Sequence, residues 1–232
     1  MIEVRRLVKT FGLKPVLRGL DFRAVPGEFV ALLGPNGAGK TTMLRILSSL
    51  SRPTLGEVRV AGYSLPGQAS EVRRLLGVVS HQPLLYGELT AEENLRFYAR
   101  MYGLSDGARR ALQALESVGL AARRRDLVRQ FSRGMQQRLA IGRALLHDPQ
   151  VMLLDEPYTG LDQDASAMLD ELLRHVAAGG RTVVMTSHDL PRAADLATRI
   201  DVLSRGVIAA SVPQAQITSA GLIELYRKVT HD

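Results

Sequence analysis

Apolar and β-branched runs recur at Ile2 to Val8, Glu28 to Leu33, Val58 to Ala61, Leu76 to Val79, Val151 to Leu154, Thr182 to Met185 and Asp201 to Leu203. Their shortness and their Val, Ile and Leu content predict strands. Helical patterns lie between several of them. Ala165 to Ala178 sets Met168, Leu172 and Val176 on one stripe with Leu169 and Leu173 beside it, and ends at Gly179-Gly180. An amphipathic helix between two buried strands, repeated along a chain, predicts a mostly parallel sheet with helices on both faces. The stretch from Thr90 to His147 differs, reading as three helices with no strand among them. It predicts a helical lobe over about 89–148, inserted into an α/β core over about 1–88 and 149–232.

Ligands of open parallel sheets bind at the carboxyl ends of the strands. Four such ends carry chemistry: a Gly-rich loop after Leu33, His81-Gln82 after Val79, Asp155-Glu156 after Leu154, and Ser187-His188 after Met185. Gly34-Pro35-Asn36-Gly37-Ala38-Gly39-Lys40-Thr41 fits G-x-x-x-x-G-K-[ST] between a predicted strand and a predicted helix running to about Leu50. Glycines let successive N–H groups turn onto phosphate oxygens, the helix N-terminus favours negative charge, and Lys40 reaches the terminal phosphates. Thr41 would hold Mg²⁺. Triphosphate hydrolysis also needs a carboxylate on Mg²⁺ at a neighbouring strand end, which Asp155 supplies. Glu156 is the candidate for orienting or deprotonating the attacking water, an effect of roughly 10²–10⁴ in rate. The plainer reading of the pair is two solvated loop acids before Pro157.

Composition narrows the classes. The longest apolar run, Phe29 to Leu33, is far shorter than the ~20 residues a membrane-spanning helix requires. The first residues lack the apolar segment of a secretory signal, so an intracellular N-terminus is expected. Without cysteine, neither a disulfide framework nor a cysteine-ligated zinc site is possible. The net charge of +7 would suit nucleic acid, an anionic membrane or a phosphate-rich ligand. Nucleic-acid stacking calls for aromatics among the basic residues, and aromatics make up 5% of the chain with no Trp. No nucleic acid is therefore expected. None of the four lysines sits in the [NT]-K-x-D setting that reads guanine, which argues against a GTPase.

Gly34 to Thr42, Gln82, Phe131-Ser132-Arg133-Gly134-Met135-Gln136-Gln137-Arg138, Leu153 to Pro157, Thr159-Gly160-Leu161-Asp162 and His188 follow one another as do the motifs of ATP-binding cassette ATPases, which the chain resembles over nearly its whole length. The resemblance implies an α/β fold: a P-loop nucleoside-triphosphatase core with a mostly parallel sheet, an N-terminal β subdomain and an inserted helical subdomain, in one nucleotide-binding domain. It also implies residue roles. Phe11 resembles the aromatic that stacks on adenine, although a core Phe would look the same in sequence. Gln82 resembles the glutamine that touches Mg²⁺ and water while joining core and lobe. His188 resembles the histidine on the γ-phosphate, and Asp162 the aspartate that links two sites, where it would also cap a helix. Ser132 and Gly134 stand at the signature positions that reach phosphate. Arg133 and Met135 replace the usual Gly and Gln, and Ser132 sits where a helix N-cap belongs.

One phosphate loop and one signature per chain imply a partner, either a second copy or a homologous cassette, with ATP between them. The family further implies an integral membrane permease and a peripheral place on the cytoplasmic face of the membrane. Tyr86, Phe97, Tyr98 and Tyr102 fall where transporters meet that permease, although each singly also reads as lobe core. A soluble cassette acting on nucleic acid or ribosomes is the alternative. Leu89 to Tyr98 and Phe131 to Pro149 resemble export-type cassettes, closest to the haem exporter ATPase of cytochrome c maturation.

Overall fold

The computed structural model describes residues 1–80 and 82–231. His81, expected at a strand end beside Gln82, lies outside the described residues. The first half of the chain runs β1 (Ile2–Phe11), β2 (Lys14–Ala24), β3 (Phe29–Leu33), α1 (Lys40–Leu47), β4 (Leu55–Val60), β5 (Tyr63–Leu65), α2 (Ala69–Arg74) and β6 (Leu76–Val79). Three helices follow, α3 (Ala91–Met101), α4 (Gly107–Ser117) and α5 (Arg133–Leu145). The remainder is β7 (Val151–Asp155), α6 (Gln163–Ala178), β8 (Thr182–Thr186), α7 (Leu190–Leu196), β9 (Arg199–Ser204), β10 (Val207–Pro213) and α8 (Ser219–His231).

The central sheet has strand order β10-β9-β3-β8-β7-β6, parallel throughout except for β10 at one edge. Its inner strands are buried on both faces, which is why they read as unbroken apolar runs. Alternate residues divide between two cores. Phe29, Ala31 and Leu33 face the helices α3 to α7, whereas Val30 and Leu32 face α1 and a second sheet. That second sheet, β2-β1-β4-β5, is antiparallel, and it takes the run at Val58 to Ala61 out of the central sheet.

Several local expectations are corrected. β2 was not anticipated because its apolar pattern changes phase. Leu20 pairs with Leu7 but Arg18 pairs with Val8, so Gly19 is the extra residue of a bulge and an alternation count fails there. β10 is an exposed edge with a weak apolar signal, and β5 spans only three residues. Helix α1 stops at Leu47 rather than near Leu50: Ser49 turns left-handed, and the N–H groups of Leu50 and Ser51 close on the Arg45 carbonyl. On α6, Leu169, Leu172, Leu173 and Val176 are buried, but Met168 is 48% exposed and does not belong to the core stripe.

Helix entries are set by short polar caps. Thr90 and Glu93 form a reciprocal capping box for α3. Asp162 accepts from Ala165 N at 2.8 Å to open α6. The two sheets are joined by Arg199, which donates to Glu28 at 2.6 Å, to both oxygens of buried Asp201 at 3.0 Å, and to the Arg23 carbonyl at the end of β2 at 2.6 Å. Ser211 also donates to Asp201 at 2.6 Å. Removing the buried carboxylate leaves a half-buried guanidinium short of its partner, so Asp201→Ala should lower the unfolding free energy by about 3 kcal/mol. Urea denaturation measures this, and an unchanged midpoint would contradict the role given to the junction.

Candidate active site

The register of the central sheet brings the strand ends side by side. Leu32 pairs with Thr186, Asp155 with Thr186, and Val79 with Leu154. The loop 34–39, residues 155–156, residues 187–188 and Gln82 therefore leave the sheet at one edge, as the sequence predicts.

After β3 the chain turns through Gly34 to Gly39 into α1. Gly39 caps that helix at φ 113°, and a β carbon there would stand 2.7 Å from Leu17. Glycine thus meets both a backbone and a packing demand. It also offers no side chain to the first N–H groups of α1, and the first turn holds no acid. Uncapped donors at a helix start form an anion site. Lys40 is 6% exposed and donates to the carbonyls of Gly34 at 2.7 Å and Pro35 at 3.2 Å. Burial lowers its pKa below the usual 10.5, opposed by the attraction of Glu156 and Asp155. A desolvated ammonium of this kind gains most from an arriving anion.

Opposite the loop, Thr41 Oγ1 donates to Asp155 Oδ1 at 3.2 Å. Thr186 Oγ1 donates to the same oxygen at 2.8 Å and accepts from Glu156 N at 2.9 Å. One hydroxyl thus orients two successive acids. Glu156 adopts φ 52°, a left-handed conformation rare for a residue before proline. Its Oε1 lies 2.8 Å from His188 Nε2 and 3.9 Å from Lys40 Nζ. Strain held by surrounding bonds is a recurrent feature of reactive sites. Behind it, Tyr158 donates to Asp170 at 2.7 Å, and burial pushes its hydroxyl pKa far up.

Of these groups Lys40, Thr41, Glu156 and His188 line a cavity of about 520 Å³, together with Phe11, Pro35, Asn36, Gly37, Gly39 and Thr42. Gly34 and Ala38 belong to the same loop, with Ala38 N donating to Pro35 O at 3.2 Å. Phe11 is 54% exposed with Lys9 4.8 Å from its ring centroid, so it is a rim residue and not core. Lys14 and Val16 complete the wall. They were missed because β2 was missed. An alcohol and a carboxylate side by side are hard oxygen donors, and Thr41 with Asp155 fits Mg²⁺. A cationic cradle with an exposed aromatic at its rim fits a nucleoside triphosphate.

Other expected site residues lie elsewhere. Gln82 is exposed and does not line this cavity; its carbonyl accepts from Ser80 Oγ at 2.6 Å. Ser132, Gly134 and Asp162 also lie outside it. Ser132 caps α5 by accepting from Met135 N at 3.3 Å. A β carbon on Gly134 would stand 2.7 Å from that of Ala165, so the start of α5 packs directly on the start of α6. Arg133 folds over Gly160, its guanidinium 2.8 Å from where a β carbon would be. Thr186 was not singled out from sequence. Its only signal is a hydroxyl at the end of an apolar run beside the strand that ends in Asp155.

A family model described as ABC transporter matches residues 17–159. The chain is 40% identical to the Nod factor export ATP-binding protein I of Paraburkholderia xenovorans over 94% of its own length and 73% of that protein's. It is 36% identical to the linearmycin resistance ATP-binding protein of Bacillus subtilis, over 89% and 67% respectively. Among solved structures, the ATP binding subunit of an ABC transporter superposes with TM-score 0.87 at 33% identity, over 99% of both chains. A dimeric post-hydrolysis cassette bound to ADP and Pi superposes with TM-score 0.83 at 30% identity, over 92% of this chain and 99% of that one.

Thr186→Val keeps the shape of the strand end and removes both hydrogen bonds to the acids. Turnover of Mg-ATP should fall about 10–100-fold, as for other groups that orient a metal's ligands, while nucleotide affinity measured by equilibrium titration stays close to wild type. Turnover equal to wild type would remove Thr186 from the site.

Proposed function

Because the chain belongs to the ATP-binding cassette transporter family, we propose that it is the ATP-hydrolysing motor of an exporter, working as a pair of cassettes against a separate integral membrane permease. The observation that carries the pairing is the division of the site. The phosphate loop, Glu156 and His188 share one cavity, and Asp155 is hydrogen-bonded to Thr41 in its wall, whereas Ser132 and Gly134 lie at the start of a different helix outside it. In this reading, Ser132 and Gly134 of one cassette meet the γ-phosphate held by Lys40 of another. Support comes from the superposed dimeric cassette and from the relatives named for export.

Phe11 stacks on the base, and the residues from Gly34 to Thr42 cradle the phosphates. Mg²⁺ held by Thr41 and Asp155, with Gln82 approaching it, would neutralise charge on the phosphate oxygens. Glu156 orients the attacking water and takes its proton, His188 contacts the γ-phosphate, and Asp162 links the two sites. The 2.8 Å contact between His188 and Glu156 supports a shared task.

The chain is read as one nucleotide-binding domain, with an α/β core over about 1–88 and 149–232 and a helical lobe over about 89–148. No helix among the described residues is long and apolar enough to cross a membrane, and the proposed place is peripheral, on the cytoplasmic face. Tyr86 packs edge-on against Phe97 at 5.0 Å and is 49% exposed, beside exposed Leu84. This patch is the proposed contact with the permease. Tyr102 instead stacks on His147 at 4.0 Å. Haem as cargo is a narrower reading that rests on the resemblance of two segments alone; the relatives above support export without it.

Membranes extracted in detergent should yield this chain together with an integral membrane protein, without nucleic acid or ribosomes. Tyr86→Ala should reduce recovery of that partner on the order of tenfold, the loss expected of one aromatic anchor, while ATP turnover of the isolated chain is unchanged. Recovery of only ribosomes or nucleic acid would favour the soluble-cassette alternative and contradict the exporter.

A further inference from the structure

Arg143, in the last turn of α5, is only 6% exposed and makes no ion pair among the described residues. Burying a cation without a carboxylate is unfavourable unless hydrogen bonds take up its charge. They do so here through backbone carbonyls. One terminal nitrogen donates to Val78 O at 2.7 Å, and the other donates to Pro83 O at 3.2 Å and Leu84 O at 3.3 Å. The guanidinium also lies 5.2 Å from the ring centroid of Tyr98.

The placement of these carbonyls gives the contact its meaning. Val78 is on β6, at the edge of the central sheet, and Pro83 and Leu84 are on the return leg of the loop that leaves it. The guanidinium therefore spans the mouth of the loop that carries Gln82 and fixes the distance between its two legs. The return leg is gripped twice more. Tyr98 OH donates to Leu84 O at 2.5 Å, and fully buried Asn94 accepts from Tyr86 N at 2.8 Å while donating to Tyr86 O at 2.9 Å. Leu84 adopts φ 51°, a conformation leucine keeps only when its neighbours hold it there. A contact needed only for packing would be met by an apolar residue, as at Leu139 on the same helix. A rigid fork of donors is needed to hold three carbonyls at once, and lysine's single ammonium cannot span them.

We propose that Arg143 is a positioning residue for the nucleotide site: it closes the loop carrying Gln82 and ties that loop to α5, the helix that begins at Ser132. The inference rests on the assignment of Gln82 to the nucleotide site made above.

Hydrogen exchange of the full chain, followed by mass spectrometry, tests the clamp apart from activity. Arg143→Lys keeps the charge and loses the fork. Exchange across residues 79–90 should accelerate on the order of tenfold, the loss of about one hydrogen bond to a charged donor, while β3 and α1 exchange as in wild type. For the same variant, kcat should fall on the order of tenfold with ATP affinity within about twofold. Tyr98→Phe removes a second grip on Leu84 and should give the same local pattern more weakly; it decides the matter if Arg143→Lys does not fold. Wild-type exchange over 79–90, or acceleration spread evenly over α3 to α5 with weakened ATP binding, would overturn the clamp. Gln82→Ala should lower turnover and leave exchange over 79–90 unchanged. Wild-type turnover in that variant overturns the role of Gln82, and with it the positioning role, whatever the exchange shows.

Discussion

The site depends on holding two consecutive carboxylates apart at the end of a buried strand. Left to themselves, Asp155 and Glu156 would repel each other and swing towards solvent. The Thr186 hydroxyl prevents this by donating to one side chain while accepting from the backbone of the next residue. Asp155 is thereby turned towards Thr41 and Glu156 towards His188 and Lys40. The hydroxyl stands there because β8 lies between β3 and β7 in the sheet. The same strand order brings the phosphate loop and the acids to one edge. Chemistry of this kind is available to a parallel sheet because every strand ends on the same side.

Around that edge the charges are matched rather than satisfied. Lys40 is buried with its ammonium on two carbonyls and near two carboxylates, yet desolvation still lowers its pKa. The uncapped start of α1 adds further unspent donors. In the proposed reading, a phosphate chain with its metal ion would meet both demands at once, giving anionic oxygens to Lys40 and the helix and a cation to Asp155 and Thr41. The arrangement would then be complementary to the metal–nucleotide complex more than to either component alone.

The central strands were legible because burial on both faces leaves an unbroken apolar run, and the phosphate loop because its glycines, lysine and threonine have fixed spacing. Ser132 and Asp162 were legible as caps from purely local logic, and both accept the expected backbone N–H. What escaped depended on distant partners. The bulge at Gly19 hid β2, and with it Lys14 and Val16 in the cavity wall. Met168 fits an apolar stripe by spacing but faces outward. A threonine closing an apolar run gives no hint that its hydroxyl reaches the neighbouring strand's acid. Nor does Arg143 reveal from its place in a helix that it is buried on three carbonyls. Sequence left Phe11 open between core and rim, and only exposure decides that.

The central claim is that a working site needs the phosphate loop of one chain and Ser132 of another. Mixing two inactive variants tests it most directly. Lys40→Ala breaks the phosphate loop of its own chain, and Ser132→Arg breaks by bulk the signature offered to a partner. Each alone forms pairs with two broken sites. In a mixed pair, Lys40 of the Ser132→Arg chain faces Ser132 of the Lys40→Ala chain, so one site is whole. ATPase activity of the mixture, measured beside the mass of the assembly in solution, should rise above that of either variant alone. Mixed pairs that form and bind ATP at one site, yet hydrolyse it no faster than the two variants separately, would contradict a site shared between chains.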